Sequence, residues 1–240
     1  MFVDIGLFRI HYDSNGDDAP KQCNDAKEYC EDEDTQIYPD DDDNGHPDYI
    51  DELGEAANYS YNFILNNLGY QNALLIITDC NNSTDCENHG GSPLYDIYVN
   101  DRPVVSEGGI NNEYGVNNPD EDDIIEGSTF IEIDNGMTEE DYFTHGIDAM
   151  KTTIAHELFH PVQRNYRDFD KGSGFEYFYE MSSSWIEDII YPDINDYIAH
   201  GWTDNFFDYP SMIEPIEETD GYSIALYAHY LTSKIGNNSI

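Results

Sequence analysis

Positive charge is what this chain has least of. Nine Lys and Arg stand against 51 Asp and Glu, a formal net charge of −42 over 240 residues. A surface of that sign repels nucleic acid and anionic membranes, which excludes both as partners. Long apolar runs are also missing. The longest, such as Ala73 to Ile77, falls far short of the roughly 20 residues a membrane-spanning helix needs, so no membrane insertion is expected. The N-terminus has neither a basic n-region nor an apolar h-region and opens straight into Met1-Phe2-Val3-Asp4. Either a leader has been removed or the sequence is truncated. Cysteine is sparse: Cys23 and Cys30 form one close pair, Cys80 and Cys86 another. Neither has C-x-x-C spacing, which argues against a zinc ribbon. An even count in polar loops points to two local disulfides and an oxidising compartment, with four free thiols as the alternative. No internal repeat is present.

What the chain does have is enough apolar material for a core. With 39% hydrophobic and 14% aromatic residues, global disorder is excluded, and the length suits one large domain or two closely packed subdomains. The acidity marks either a plain soluble protein or one adapted to salt or divalent cations. Asn58-Tyr59-Ser60, Asn82-Ser83-Thr84 and Asn237-Asn238-Ser239 match the short glycosylation pattern.

The most informative stretch is Thr153-Ile154-Ala155-His156-Glu157-Leu158-Phe159-His160. Met150, Ile154, Leu158 and Val162 recur every four residues, the period of a helix. On a helix, His156 and His160 stand one turn apart and point the same way, as two ligands of one Zn²⁺ do. Glu157, beside the first ligand, stands where a general base for the attacking water is needed. A chance match on an amphipathic helix is the plainer alternative. Tetrahedral zinc takes a third protein ligand. A metzincin-type Gly and third His are lacking, since Gln163 and Tyr166 occupy those places. The segment Phe175 to Glu187 offers instead Glu176, Glu180 and Glu187 on one helical face. The polar Arg164–Gly174 loop lets that helix fold back antiparallel, which would set Glu180 over the histidines.

Together, H-E-L-F-H and a helical Glu downstream resemble the gluzincin zinc metallopeptidases, the thermolysin-like group. Phe8-Arg9-Ile10-His11-Tyr12, Asp43-Asn44-Gly45-His46-Pro47-Asp48-Tyr49, Tyr95-Asp96-Ile97-Tyr98-Val99, Ile133-Asp134-Asn135 and Trp185-Ile186-Glu187-Asp188 extend the likeness, in order, to a family of secreted prokaryotic metalloproteases. The resemblance implies a zincin-like α+β fold. An N-terminal mixed β-sheet with the active-site helix spans 1–165, and a smaller, mainly helical subdomain spans 166–240. It implies His156, His160 and Glu180 as zinc ligands and Glu157 as base. It places the oxyanion donor at Tyr222 or His229, which share one face of a C-terminal helix. It sets the last strand before the zinc helix, Phe130, Ile131, Glu132, Ile133 and Asp134, at the cleft rim, pairing with the substrate backbone. Two departures stand out. Pro161, directly after the second His, predicts a kink. Ser184 stands where thermolysin has the Asp that holds a ligand His, which leaves Glu187 or Glu176 to take that part. The C-terminal helical part is also shorter than the family's.

The remaining chain reads as follows. A strand is expected over 6–12, an amphipathic helix over 50–68 stopped by Gly69, a buried strand over Ala73–Thr78, and another over Tyr95–Val99. Residues 100–127 read as a long irregular segment, 128–134 as a strand, and Tyr222–Leu231 as a helix. Between the first strand and helix, Asp40, Asp42, Asn44, Asp48 and Asp51 fall at the side-chain ligand positions of an EF-hand loop. Gly45 takes the bend and His46 supplies the carbonyl. The last ligand is Asp instead of the usual Glu, and a merely solvated acidic run is the alternative. The expectation is therefore an extracellular or cell-surface zinc metallopeptidase acting on peptide or protein substrates, with Zn²⁺ and Ca²⁺ as cofactors. The rival is a noncatalytic, calcium-ordered surface or adhesion domain with a vestigial zinc site.

Overall fold

The computed structural model describes residues 1–24, 27, 29–31, 34–71, 90–102, 105–106, 109–110, 114–119, 129–138, 142–166, 176–199 and 224–235. The strand expected at Ala73–Thr78, the Cys80/Cys86 pair, the Asn82 and Asn237 sequons, and Tyr222 lie outside the described residues. So does the side chain of Glu176.

The chain starts with a hairpin. Strands β1 (Phe2–Ile5) and β2 (Phe8–His11) pair antiparallel around Gly6-Leu7. The strand expected over 6–12 therefore begins two residues late, because its first residues form the turn. Gly6 has φ +63°, a conformation open to Gly at little cost. A Cβ there would sit 2.1 Å from the Asn58 Oδ1. Asn58 belongs to helix α1 (Asp48–Asn66) and locks the hairpin to it. Its amide donates to the carbonyls of Ile5 (2.9 Å) and Gly54 (2.8 Å), and its oxygen accepts the Leu7 N–H (3.2 Å). Both amide hydrogens of Asn58, the sequon asparagine, are thereby committed to backbone carbonyls.

Two small antiparallel pairs stand apart from the main sheet's ladder: β3 (Lys21–Cys23) with β4 (Thr35–Ile37), and, further on, β6 (Val105–Ser106) with β7 (Gly109–Ile110). A disulfide joins Cys23 to Cys30 with Cα atoms 5.8 Å apart. Strand β5 (Tyr95–Asn100) runs parallel to β2 after the α1 crossover, and β9 (Thr129–Asp134) runs parallel to β5. Within the stretch expected to be irregular lies β8 (Gly115–Pro119), antiparallel to β9. Its Gly-Val-Asn-Asn-Pro sequence lacks the β-branched alternation that marks a strand. The order of the mixed sheet is β1-β2-β5-β9-β8. This α+β architecture has five helices among the described residues.

Helix α1 and helix α2 (Gly146–Tyr166) cover one face of the sheet. Alternation along the strands sends Phe8, Ile10, Tyr95, Ile97, Ile131 and Ile133 into that layer, each fully buried. There they meet Tyr49, Leu53, Met150, Ile154 and Leu158. A second apolar cluster lies on the other side of α2. Ala155, Phe159 and Val162 pack against Met181, Trp185, Ile186 and Ile190 of α3 (Glu176–Ile190), with Ala228 of the C-terminal helix and Ile64 of α1. Short α4 (Asp196–Ala199) and α5 (Ala225–Ile235) complete the described elements. Helix α2 is thus buried on opposite sides, which leaves its middle turns, His156 and Glu157 among them, out of water. No described helix is long and apolar enough to cross a membrane.

Candidate metal centre

One turn of α2 sets the geometry. His156 and His160 have ring centroids 5.0 Å apart, as the helical period requires. Pro161 lies inside α2, which remains helical through Tyr166. Proline brings no N–H to the ladder, so the carbonyl of Glu157 loses its usual helical donor.

Trp185 and Met181 dock α3 against Phe159 and Ala155, and this brings carboxylates over the imidazoles. His156 Nε2 lies 3.0 Å from Glu180 Oε2. His160 Nε2 lies 3.8 Å from Glu180 Oε1 and 3.8 Å from Glu157 Oε2. Ligand atoms of His156, His160 and Glu180 all fall within 4.8 Å of one another. On its far side, His156 Nδ1 donates to Glu187 Oε1 at 2.5 Å. Glu187, one of the two residues that could stand in for the Asp absent at Ser184, is placed to hold His156; the side chain of the other, Glu176, lies outside the described residues. His160 Nδ1 meets the Gln163 carboxamide oxygen at 2.9 Å, a contact the sequence reading missed. The i, i+3 spacing of His160 and Gln163 was the signal available for it.

Burial sets the electrostatics. His156 and Glu157 are 5% and 7% exposed, so neither charge is solvated. Burial opposes a positive His156, but hydrogen bonds to Glu180 and Glu187, with the nearby Glu157 charge, outweigh it and hold the ring well above its ordinary range. For Glu157, burial raises the carboxyl. His156 and His160 pull it down, Glu180 pushes it up, and the Asn117 backbone N–H donates to it, leaving a net upward shift. That N–H belongs to β8, so the edge strand lies against the Glu157 carboxylate. Gly115 makes the approach possible: a Cβ there would come within 2.8 Å of Thr153 Cγ2, 3.1 Å of the Glu132 carbonyl and 3.4 Å of Glu157 Cγ.

The topology corrects the expected cleft rim. Strand β9 is paired on both sides, with β5 and with β8, so its backbone has no free ladder for a substrate. Ile131 and Ile133 are in the core, and Phe130 packs edge-on to Tyr98. Glu132 accepts from Arg102 (3.0 Å) and Asn118 (2.9 Å). Asp134 is fully buried and accepts the N–H groups of Gly136 and Met137. The edge of the sheet beside Glu157 is β8. Of the expected oxyanion donors, Tyr222 is outside the described residues. His229 sits beside Asp188 (3.7 Å) and the ring of Tyr197 (4.9 Å).

The acidic loop gathers only part of its expected ligand set. Carboxylate oxygens of Asp40, Asp42 and Asp48 lie within 4.8 Å of one another. The chain bends through positive φ at Asp43 (58°) and Gly45 (102°). The N–H groups of Asn44 and Gly45 donate to Asp40, each at 3.0 Å. Asn44 turns its amide to Asp42 (3.2 Å) and Asp51 (3.0 Å). The His46 ring is 3.2 Å from Asp51.

No family model matches the chain, and neither a curated protein nor a solved structure matches it.

Proposed function

We propose that this chain is a secreted zinc metallopeptidase of zincin-like plan, an endopeptidase. His156, His160 and Glu180 would hold the metal and Glu157 would act as base. The observation that carries this reading is convergence. Two imidazole Nε2 atoms and one carboxylate face a common point, with a second, buried carboxylate alongside and each Nδ1 already held by an acceptor. Two nitrogens and one carboxylate oxygen suit zinc with an open position, the donor set of hydrolytic sites. Bound zinc would supply Lewis acidity toward water and a scissile carbonyl. The protein's part is to orient the two rings, to exclude bulk water from Glu157, and to hold its carboxylate through the Asn117 N–H. In this reading an extended substrate lies along β8, whose outer edge lies next to the base, and Glu157 takes the proton of the attacking water. A Tyr222 or His229 hydrogen bond would stabilise the oxyanion.

The acidic loop is read as a calcium loop that fixes the start of α1, in keeping with an extracellular location. The rival, a calcium-ordered adhesion domain with a vestigial zinc site, is disfavoured by Glu157. A noncatalytic site has no use for a buried carboxylate held against its cation ligands. The deciding experiment measures bound zinc and casein hydrolysis before and after chelation. Zinc near one equivalent, with hydrolysis lost on chelation and restored by zinc, supports the peptidase. Bound zinc without hydrolysis favours the rival.

A further inference from the structure

Gln163 ties two helices together and faces a histidine at the same time. Its amide nitrogen lies 3.0 Å from the Tyr179 carbonyl, 2.9 Å from Ser182 Oγ and 3.2 Å from Ser183 Oγ, all on α3. A backbone carbonyl can only accept, so the NH₂ end of the carboxamide must be the end that faces α3. Ser182 spends its own proton on the Phe178 carbonyl (2.7 Å), which leaves its oxygen able to accept from Gln163. The other end of the carboxamide is therefore an oxygen, and it lies 2.9 Å from His160 Nδ1. An amide oxygen only accepts as well, so Nδ1 must carry the hydrogen. In a neutral ring that leaves the lone pair on Nε2, the nitrogen that faces Glu180.

We propose that Gln163 is a positioning residue. Oriented by the Tyr179 carbonyl, it fixes His160 in the Nδ1–H tautomer and aims its Nε2 at the metal. The inference rests on the zinc reading and extends it to assembly. Docking of α3 delivers Glu180 and, through Gln163, also sets the tautomer of a ligand on α2. The two histidines are held by different chemistry: His156 by the charged carboxylate of Glu187, His160 by a neutral amide whose direction another helix dictates. Partners of this kind typically contribute about 10–100-fold to metal affinity.

The test compares zinc affinity, by competition with a chromogenic chelator, in the full chain and in Gln163→Met and Gln163→Glu. Methionine fills the space but removes the carboxamide oxygen, leaving Nδ1–H only the more distant Ser183 Oγ at 3.4 Å. Glutamate keeps the acceptor and loses the NH₂ that ties the helices. Zinc binding about 10–100-fold weaker in Gln163→Met, and within about threefold of the parent in Gln163→Glu, is the expected pattern. Equal weakening in both would make Gln163 a helix tie only, and unchanged affinity in Gln163→Met would remove it from the site; either result overturns the proposal. If the parent chain binds no zinc, the zinc reading falls and this inference with it, an outcome distinct from the other two. Should Gln163→Met fail to fold, the zinc-loaded parent decides by NMR. A His160 Nδ1 proton protected from exchange with water supports the assignment, and an unprotected one overturns it.

Discussion

The two acidic clusters of this protein are built in opposite ways. The loop at Asp40–Asp51 is contiguous in sequence and largely exposed, and its carboxylates are met by backbone N–H groups of the same few residues. The cluster at His156 joins two helices, is largely buried, and pairs its charges with one another across that junction. The difference follows from solvation. An exposed carboxylate can stay hydrated while it waits for a cation, whereas a buried one needs a partner in every state. The loop is therefore expected to change the protein's stability when it binds its ion, and the buried centre to change its chemistry.

The largest effect separating the two is expected at Glu157. Replacing it by Gln should keep zinc and lower peptide hydrolysis by a factor on the order of 10²–10⁴. Casein cleavage at the parental rate in a zinc-loaded Glu157→Gln protein would show that Glu157 is not a general base. Next come the carboxylates of α3. Glu180→Ala should abolish stoichiometric zinc, while Glu187→Ala should weaken it about 10–100-fold, as loss of a partner behind a ligand does. Zinc release by Glu187→Ala alone, with Glu180→Ala unaffected, would exchange their roles.

The loop should answer calcium with stability. A native-state site gains RT ln(1 + [Ca²⁺]/Kd), about 2.7 kcal/mol at a hundredfold excess. For a chain of this size that is a rise in Tm of roughly 5–10 °C. Thermal melts in calcium against EGTA, with zinc held constant, measure it. An unchanged midpoint, or an Asp42→Asn, Asp48→Asn variant that still responds like the parent, would leave the loop a solvated acidic run.

The metal-free centre should answer pH. Both His156 and Glu157 are raised above their ordinary values, so the folded state holds protons more tightly than the unfolded one. Their contribution to stability is present at low pH. It declines as pH rises, from above about 4.5 for Glu157 and above about 6.5 for His156. Zinc needs these groups deprotonated, so its stabilisation should grow over the same range. Denaturant titrations of metal-free and zinc-loaded protein across pH would show the two trends diverging; parallel curves would break the assignment. The smallest effect is the coupling between the sites. They share no hydrogen-bond partner among the described residues, so the loop variant should shift zinc affinity by less than about 0.5 kcal/mol.

Whatever depends on neighbours within a turn or a loop can be read from the residues alone. The 3.6-residue period places His156 and His160 together and Glu157 beside them, and Asp40, Asp42 and Asp48 are near enough in sequence to meet within one loop. The strands at Tyr95–Val99 and 128–134 were equally legible from their residues. What crosses between elements depends instead on how they pack. Helical spacing put Glu176, Glu180 and Glu187 on one face, but the docking of Trp185 and Met181 selected Glu180 to face the ligand nitrogens and Glu187 to hold His156 from behind. Pairing on both sides closed β9 to a substrate and made an unpromising Gly-Val-Asn-Asn-Pro segment the strand beside Glu157. The i, i+3 spacing brought Gln163 within reach of His160, but which end of its amide meets the ring is set by a carbonyl on another helix. Local periodicity fixes directions about one axis, and the distances that make a site depend on how two axes pack.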